Sequence, residues 1–208
     1  MSELCDALSV VFTDSPKIED HLFAKAIRWA DQNPNDIVFW ARRKALNRIP
    51  EIDVDWSSKV AALRRIRFGY NRRNLLLGCI DEAVKGSIDC DVAAIICSLS
   101  VPKNGSQMGS LLAALAHFCN SNDGRAVAVI DLRRENGEEE DDEEDDQTDP
   151  FENFEFLDEV EEEKPKELTG KTSEEIESQT EKLKRISGIY TKNVFTFDGD
   201  KFTSCYQC

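Results

Sequence analysis

Two short apolar runs on either side of one helical stretch decide the fold class of this chain. Residues 91–100 read DVAAIICSLS, residues 110–119 read SLLAALAHFC and residues 125–132 read RAVAVIDL. The first and last runs are β-branched at their centres and flanked by turn residues, which is typical of buried strands, whereas the middle run has helical Leu/Ala spacing. The stretch therefore predicts a β-loop-α-β unit, with residues 101–109 as the loop.

The region before this unit is predicted to be mainly helical. Ser15-Pro16 is a helix start with Ser at the N-cap and Pro at the first turn, Pro50 closes a later helix, and Gly69 and Gly86 are expected stops. Apolar residues recur at helical spacing in five segments: Leu4, Leu8 and Val11; Ile18, Leu22 and Ala26; Ile37, Trp40 and Leu46; Val60, Leu63 and Ile66; Leu75, Cys79 and Val84. The expected fold is α/β or α+β, with helices to about residue 86 packed on a small sheet.

Charge is divided unevenly between the two parts of the chain. Residues 1–133 carry 17 Lys/Arg and 16 Asp/Glu, whereas residues 134–208 carry 9 and 25, so the last third accounts for the net charge of −15. This division predicts a folded domain over residues 1–134 and an acidic, disordered segment over residues 135–167. A helix and a β-hairpin are predicted over residues 168–208.

The predicted C-terminal hairpin centres on Asp198-Gly199, a favoured pair for a two-residue turn. That turn would set Phe195 opposite Phe202. Because an isolated hairpin is marginally stable in water, we expect it to pack on an edge of the main sheet or on another molecule. The second case would make the chain a homo-oligomer or an assembly protein.

A cluster of basic residues between positions 41 and 73 is the first candidate site. On adjacent helices, the guanidinium groups would neutralise phosphates or an acidic partner, and the rings of Phe68 and Tyr70 would stack on bases. The alternatives are that these side chains are the solvated faces of amphipathic helices, or that they bind the chain's own acidic segment. The candidate residues are Arg42, Arg43, Lys44, Arg48, Arg64, Arg65, Arg67, Arg72, Arg73 and Tyr70.

The loop of the β-loop-α-β unit is the second candidate site, for phosphate. Backbone N–H groups of a glycine-containing loop and a helix N-terminus bind anions, and the candidates here are Lys103, Gly105, Gly109 and Ser110. Residues 103–110 resemble the deviant P-loop of ParA/MinD-type ATPases, and residues 124–131 resemble the strand that follows it in that family. The resemblance implies a nucleotide-binding protein with Lys103 as the leading signature lysine. Met108 stands where that family has its phosphate-binding lysine.

An acidic-aromatic stretch is the third candidate site. Residues 150–160 read PFENFEFLDEV, within a run of acids that contains no Lys or Arg. Such alternation is typical of disordered segments that bind the groove of a partner, and Phe151, Phe154, Phe156 and Leu157 are the expected contacts. The alternative is a solvating linker whose aromatic rings pack back on the parent domain.

Catalytic and metal-binding patterns are weak in this sequence. His21 and His117 are the only histidines, and neither is accompanied by a nucleophile motif. Cys205 and Cys208 form a C-x-x-C pair that could serve zinc, redox chemistry or prenylation, or have no function. We expect no cofactor and no metal, and the sequence leans away from an enzyme.

These patterns lead to three hypotheses about function. The first is a non-enzymatic interaction or regulatory protein, cytoplasmic or nuclear, because the sequence has neither a signal peptide nor a membrane-spanning run. Its basic face would bind nucleic acid or an acidic partner, and its acidic segment would modulate that binding or recruit a second protein, as in a viral or host regulatory factor. The second hypothesis is a degenerate P-loop nucleotide-binding protein. The third is a self-associating structural protein.

Overall fold

The computed structural model describes residues 7–42, 45, 46, 48–70, 91–102, 105–133 and 173–206. In these residues the chain is a mixed α/β protein with a seven-stranded, mostly parallel sheet and four helices. The elements are β1 (Leu8–Thr13), α1 (Ile18–Gln32), β2 (Ile37–Arg42), a 3-10 turn (Trp56–Lys59), α2 (Val60–Leu63), β3 (Ile66–Tyr70), β4 (Val92–Ser100), α3 (Gly105–Asn122), β5 (Arg125–Asp131), α4 (Ser173–Tyr190), β6 (Val194–Phe197) and β7 (Phe202–Ser204).

The strands lie side by side in the order β3-β2-β4-β5-β1-β6-β7. Every neighbouring pair is parallel except β6 and β7, which are antiparallel. Strands at the centre of such a sheet are covered on both faces and so read as continuous apolar runs. All six residues of β1 are buried. The two outer strands of the described sheet are β3 and β7.

Helices cover both faces of the sheet. On one face α1 packs through Trp29 and Ala30 against Val11 of β1 and Trp40 of β2. On the other face α3 packs through Leu112, Leu115 and Phe118 against β1, β4 and β5, and α4 adds Leu183. The protein is therefore built of three layers, with the sheet between the helices.

The predicted β-loop-α-β unit is confirmed. Strands β4 and β5 pair in parallel, with Ile96 beside Val127 and Ser100 beside Asp131, and α3 connects them. The predicted loop is too long, however, because α3 begins at Gly105 and not at Ser110. Leu and Ala are strong helix formers, and the segment from Gly105 joins their helix in spite of its two glycines.

The prediction of a mainly helical N-terminal region is wrong in three places. The predicted first helix contains β1, the helix through Ile37 and Trp40 is β2, and Ile66 and Gly69 belong to β3. Buried strands show no alternation, so their apolar residues can also match a helical spacing. The helix after Ser15-Pro16 is confirmed as α1, but it begins at Ile18 with Lys17, not Ser15, at the N-cap. The predicted helix through Leu75 and Val84 lies outside the described residues.

The C-terminal strands join the same sheet as the rest of the chain. β6 pairs in parallel with β1, placing Val194 beside Val10. The predicted register between β6 and β7 is wrong: Phe197, not Phe195, lies opposite Phe202. The connection has four residues, 198–201, in which Gly199 adopts a φ of +104° and the Asp198 carboxylate accepts the N–H groups of Asp200 and Lys201, both at 3.0 Å.

Candidate interaction surface

Parallel α/β sheets usually bind ligands outside the carboxyl ends of their strands. Here that edge carries ion pairs made within the chain. Arg42, at the end of β2, donates to Glu19 of α1 at 2.7 Å, and its side chain is only 7% exposed. Arg133 binds the carboxylate of Asp131, at the end of β5, and this hydrogen bond raises the pKa of the guanidinium. These charges neutralise one another.

The β1–α1 connection at this edge lacks the features of an anion-binding loop. It reads Asp14-Ser15-Pro16-Lys17, with no glycine, and Pro16 has no N–H to donate. The N–H of Ser15 already donates to Thr13 Oγ1 at 3.0 Å. The carboxylate of Asp14 is exposed here and would repel a phosphate.

The predicted phosphate-binding residues lie inside α3. A Cβ added at Gly105 would come within 2.7 Å of Ile186 Cδ1, and one added at Gly109 would lie 3.5 Å from Tyr190 Oη. Both glycines therefore face α4, and Gly105 permits its close approach. Ser110 follows in the same helix, and Lys103 lies outside the described residues.

Met108, at the position where the ParA/MinD family has its phosphate-binding lysine, is fully buried in the core between α3 and the sheet. A lysine at this position would place an ammonium group among apolar side chains. Helix packing thus accounts for Gly105, Gly109 and Met108 in this stretch.

Three of the predicted basic residues form hydrogen bonds to α1 within the fold. In addition to Arg42, Arg48 donates to Asp20 of α1 at 2.8 Å, and Arg65 donates to the carbonyl of Ala30, near the end of α1, at 2.7 Å. Burial raises the pKa of Asp20, but the hydrogen bonds from Arg48 and from the Glu51 N–H outweigh that effect and lower it overall. These arginines tie α1 to the segments that follow it.

The other described members of the basic cluster lie at or beside β3. Arg64 lies two residues before the strand, Arg67 lies within it and Tyr70 ends it, and all three side chains are exposed. They do not form a helical face, as the sequence predicted, because β3 is a strand. Arg43, Lys44, Arg72 and Arg73 lie outside the described residues, as do Phe151, Phe154, Phe156 and Leu157.

A row of aromatic rings leads from the core to this strand. Phe23 of α1 lies 6.1 Å from Trp40, Trp40 stacks on Phe68 at 5.6 Å, and Phe68 stacks on Tyr70 at 6.2 Å between ring centroids. Tyr70 is 52% exposed. The row gives the outer strand a rigid aromatic surface on the face that carries α1.

The outer edge of β3 presents backbone groups to the outside of the sheet. The N–H of Val38 donates to the carbonyl of Arg65 at 3.0 Å, and Val38 lies beside Ile66 in the parallel ladder. Backbone groups alternate in direction along a strand. The N–H and C=O groups of Arg67 and Gly69 therefore point towards β2, like the carbonyl of Arg65. The N–H and C=O groups of Ile66, Phe68 and Tyr70 therefore point away from the sheet. No further strand lies beyond β3 in the part of the chain that the structure describes.

Sequence reasoning singled out Phe68 and Tyr70 but missed the strand that carries them. A signal was present: apolar and other residues alternate over Ile66-Arg67-Phe68-Gly69-Tyr70, which is the period of a half-buried strand. The preceding Val60 and Leu63 suggested a helix that continued through this segment, and the structure ends that helix at Leu63.

The histidines and cysteines form no metal-binding group among the described residues. His21 packs edge-on against Phe197 and Phe202, with ring centroids 5.0 and 5.7 Å apart. His117 Nδ1 lies 3.3 Å from Ser121 Oγ on the same helix. Burial raises the pKa of the Cys119 thiol to about 11, which keeps it protonated and unreactive at neutral pH.

A scan against models of known protein families and a search of curated proteins both gave no match. In the described part of the chain, every helix is too short or too polar to cross a membrane.

Proposed function

We propose that this chain is a non-enzymatic interaction protein that binds an acidic partner protein at the outer edge of β3. The observation that carries the proposal is the division of the basic cluster. Arg42, Arg48 and Arg65 are engaged within the fold, whereas Arg64, just before β3, and Arg67, within it, are exposed. Exposed charges next to an open strand edge are available to a ligand.

A protein partner fits this surface better than nucleic acid does. Binding to a phosphate backbone relies on many simultaneous cationic contacts, and only two of the six described members of the predicted cluster are exposed arginines. A long polyanion would also meet the chain's own net charge of −15. A short acidic peptide needs only a local match of charge.

The acidic segment is the proposed modulator of this interaction. β5 ends at Asp131 and α4 begins at Ser173, so the segment leaves and returns at the carboxyl edge of the sheet, the edge at which β3 also ends. From there the acidic residues at 135–167 would compete with a partner for Arg64 and Arg67, and Phe151, Phe154, Phe156 and Leu157 would recruit a second protein. Tethering makes such competition effective even when the intrinsic affinity is low.

The two alternative hypotheses have less support. A nucleotide site would need the phosphate-binding loop that α3 and Met108 replace, and the carboxyl edge is already occupied by its own ion pairs. Self-association by exchange of the C-terminal hairpin would have to break the pairing of β6 with β1.

Fluorescence anisotropy of a labelled polyglutamate peptide and a labelled single-stranded RNA tests the proposal. The proteins are the full chain, the double variant Arg64→Gln/Arg67→Gln and the control Arg185→Gln, which removes an exposed arginine on α4. We expect the peptide to bind in a salt-sensitive way, the double variant to weaken binding about tenfold, and the control to bind normally.

An equal loss of peptide affinity in Arg185→Gln would contradict the proposal, and so would a failure of the full chain to bind the peptide. Tighter binding of RNA than of the peptide, lost in the same double variant, would assign the surface to nucleic acid.

A further inference from the structure

We infer that the partner binds by adding an extended strand to β3, and that this strand alternates apolar or aromatic residues with acidic ones. The inference rests on the proposed function, because it specifies how the partner binds at that same edge. The occupant is a segment of another protein, recognised through its backbone and through the side chains on its two faces.

The backbone of β3 supplies the first part of the recognition. Ile66, Phe68 and Tyr70 direct their N–H and C=O groups outwards, whereas Arg67 and Gly69 bond to β2. Among the described residues no strand pairs with this row, and such a row is a template for another strand. Three residues spaced by two are enough to fix the register of a short extended peptide.

The two faces of β3 supply the second part. Ile66, Phe68 and Tyr70 place their side chains on the face that carries α1, where Phe68 and Tyr70 stack. A Cβ on Gly69 would point at Phe39 on the opposite face, and Arg67 therefore lies on that face too. Side chains of an added strand would meet an aromatic surface on one face and a guanidinium on the other.

The positive charge near β3 determines which kind of strand can pair with this edge. Arg64 and Arg67 favour acidic residues in the added strand. A second copy of β3 would instead bring two basic strands together, so a homodimer through this edge is disfavoured. The complementary chain carries acids at every second position and apolar residues between them.

Synthetic peptides provide the test with the full chain. The probe is a labelled peptide of about eight residues in which phenylalanine or valine alternates with glutamate. One version carries N-methyl groups on its glutamate amides, and a second carries them on the amides of its apolar residues. Only one set of amides faces β3, so one methylated version should bind and the other should not. Binding by the glutamate-methylated version indicates an antiparallel strand, and binding by the other a parallel strand.

Amide hydrogen exchange provides the residue-level result. The unmodified peptide should slow exchange at Ile66, Phe68 and Tyr70 by at least tenfold and leave Arg67 and Gly69, already bonded to β2, unchanged. Arg67→Glu should weaken binding about tenfold, and a peptide with lysine in place of glutamate should bind this variant better than the parent chain.

Equal binding by both methylated peptides, or by neither, would overturn strand addition, and so would unchanged exchange at Phe68. If exchange at Phe68 is already slow in the free chain and becomes fast in Phe154→Ser/Phe156→Ser, the chain's own segment occupies the edge and the inference of a separate partner is wrong. Charge-dependent binding of polyglutamate without protection at β3 would leave the proposed function standing while removing this inference.

Discussion

The carboxyl end of β2 and the outer edge of β3 use the same kind of side chain in opposite ways. Arg42 is 7% exposed, paired with Glu19 and stacked over the ring of Trp40 at 5.1 Å. Arg67, one strand away, is exposed beside backbone groups that point out of the sheet. The comparison shows that a basic cluster in a sequence can combine structural arginines with arginines available for binding, and only their positions in the fold separate them.

The largest expected effect is on the aromatic row that links the two regions. Trp40 is fully buried and donates from Nε1 to Ser98 Oγ at 3.0 Å. We expect Trp40→Ala to lower the free energy of unfolding by about 3–5 kcal/mol, because it leaves a cavity between α1 and the sheet. Tyr70→Ala, at the exposed end of the row, should cost less than about 1 kcal/mol. Urea denaturation measures the free energy of unfolding of both variants. Equal losses would contradict the division of the row into a buried, structural end and an exposed end.

The two arginines themselves give the next effect. Arg42→Gln should lower the free energy of unfolding by about 2–3 kcal/mol, because the mostly buried carboxylate of Glu19 loses its charged partner. Arg67→Gln should change stability by less than about 0.5 kcal/mol. Chemical denaturation of the two variants makes this comparison. A large destabilisation by Arg67→Gln would show that Arg67 is also a structural residue.

A substitution in α3, which begins within the predicted phosphate loop, should change the free energy of unfolding less and in the opposite direction. Gly109 lies within α3, and an added Cβ would make only an ordinary contact with Tyr190. We expect Gly109→Ala to raise the free energy of unfolding by about 0.5–1 kcal/mol, since alanine is the better helix former.

Thermal denaturation with and without Mg-ATP or Mg-GTP tests the same segment for nucleotide binding. We expect no change in Tm for the parent chain. A rise in Tm with nucleotide that Gly109→Ala abolishes would restore the phosphate-site hypothesis.

The smallest effect concerns Asp20, whose carboxylate joins α1 to Arg48 and to the backbone of Glu51. Its pKa is lowered from 3.8 in the folded protein, so its contribution to stability is present above that value and is lost as the pH falls through the folded pKa. Asp20→Asn should lower Tm by about 1–2 °C at pH 7, and the difference should shrink as the pH falls below 3.8. A difference independent of pH would mean that the carboxylate charge contributes nothing.

The sequence predicted elements whose pattern is local and unambiguous. β4, α3 and β5 were found because their Leu/Ala and β-branched runs are bounded by turn residues, and α1 was found from Ser15-Pro16. β1 and β2 were missed because strands buried on both faces lack alternation, so their side chains also fit a helical spacing.

The sequence could not show which arginines pair within the fold and which are exposed, for a different reason. Arg42 meets Glu19, and Arg65 meets the carbonyl of Ala30, and both partners lie more than twenty residues away in the chain. No local pattern distinguishes these side chains from Arg64 or Arg67. The edge position of β3 likewise depends on the order of the strands, which only the folded sheet reveals.

Amide hydrogen exchange along β3 in the full chain without ligand tests the central claim most directly. An open edge predicts alternation: slow exchange at Arg67 and Gly69, whose N–H groups bond to β2, and exchange at least tenfold faster at Phe68 and Tyr70. Phe68 exchanging as slowly as Arg67 and Gly69 would mean that another part of the molecule already covers the edge, and β3 could not then be the free interaction surface of this protein.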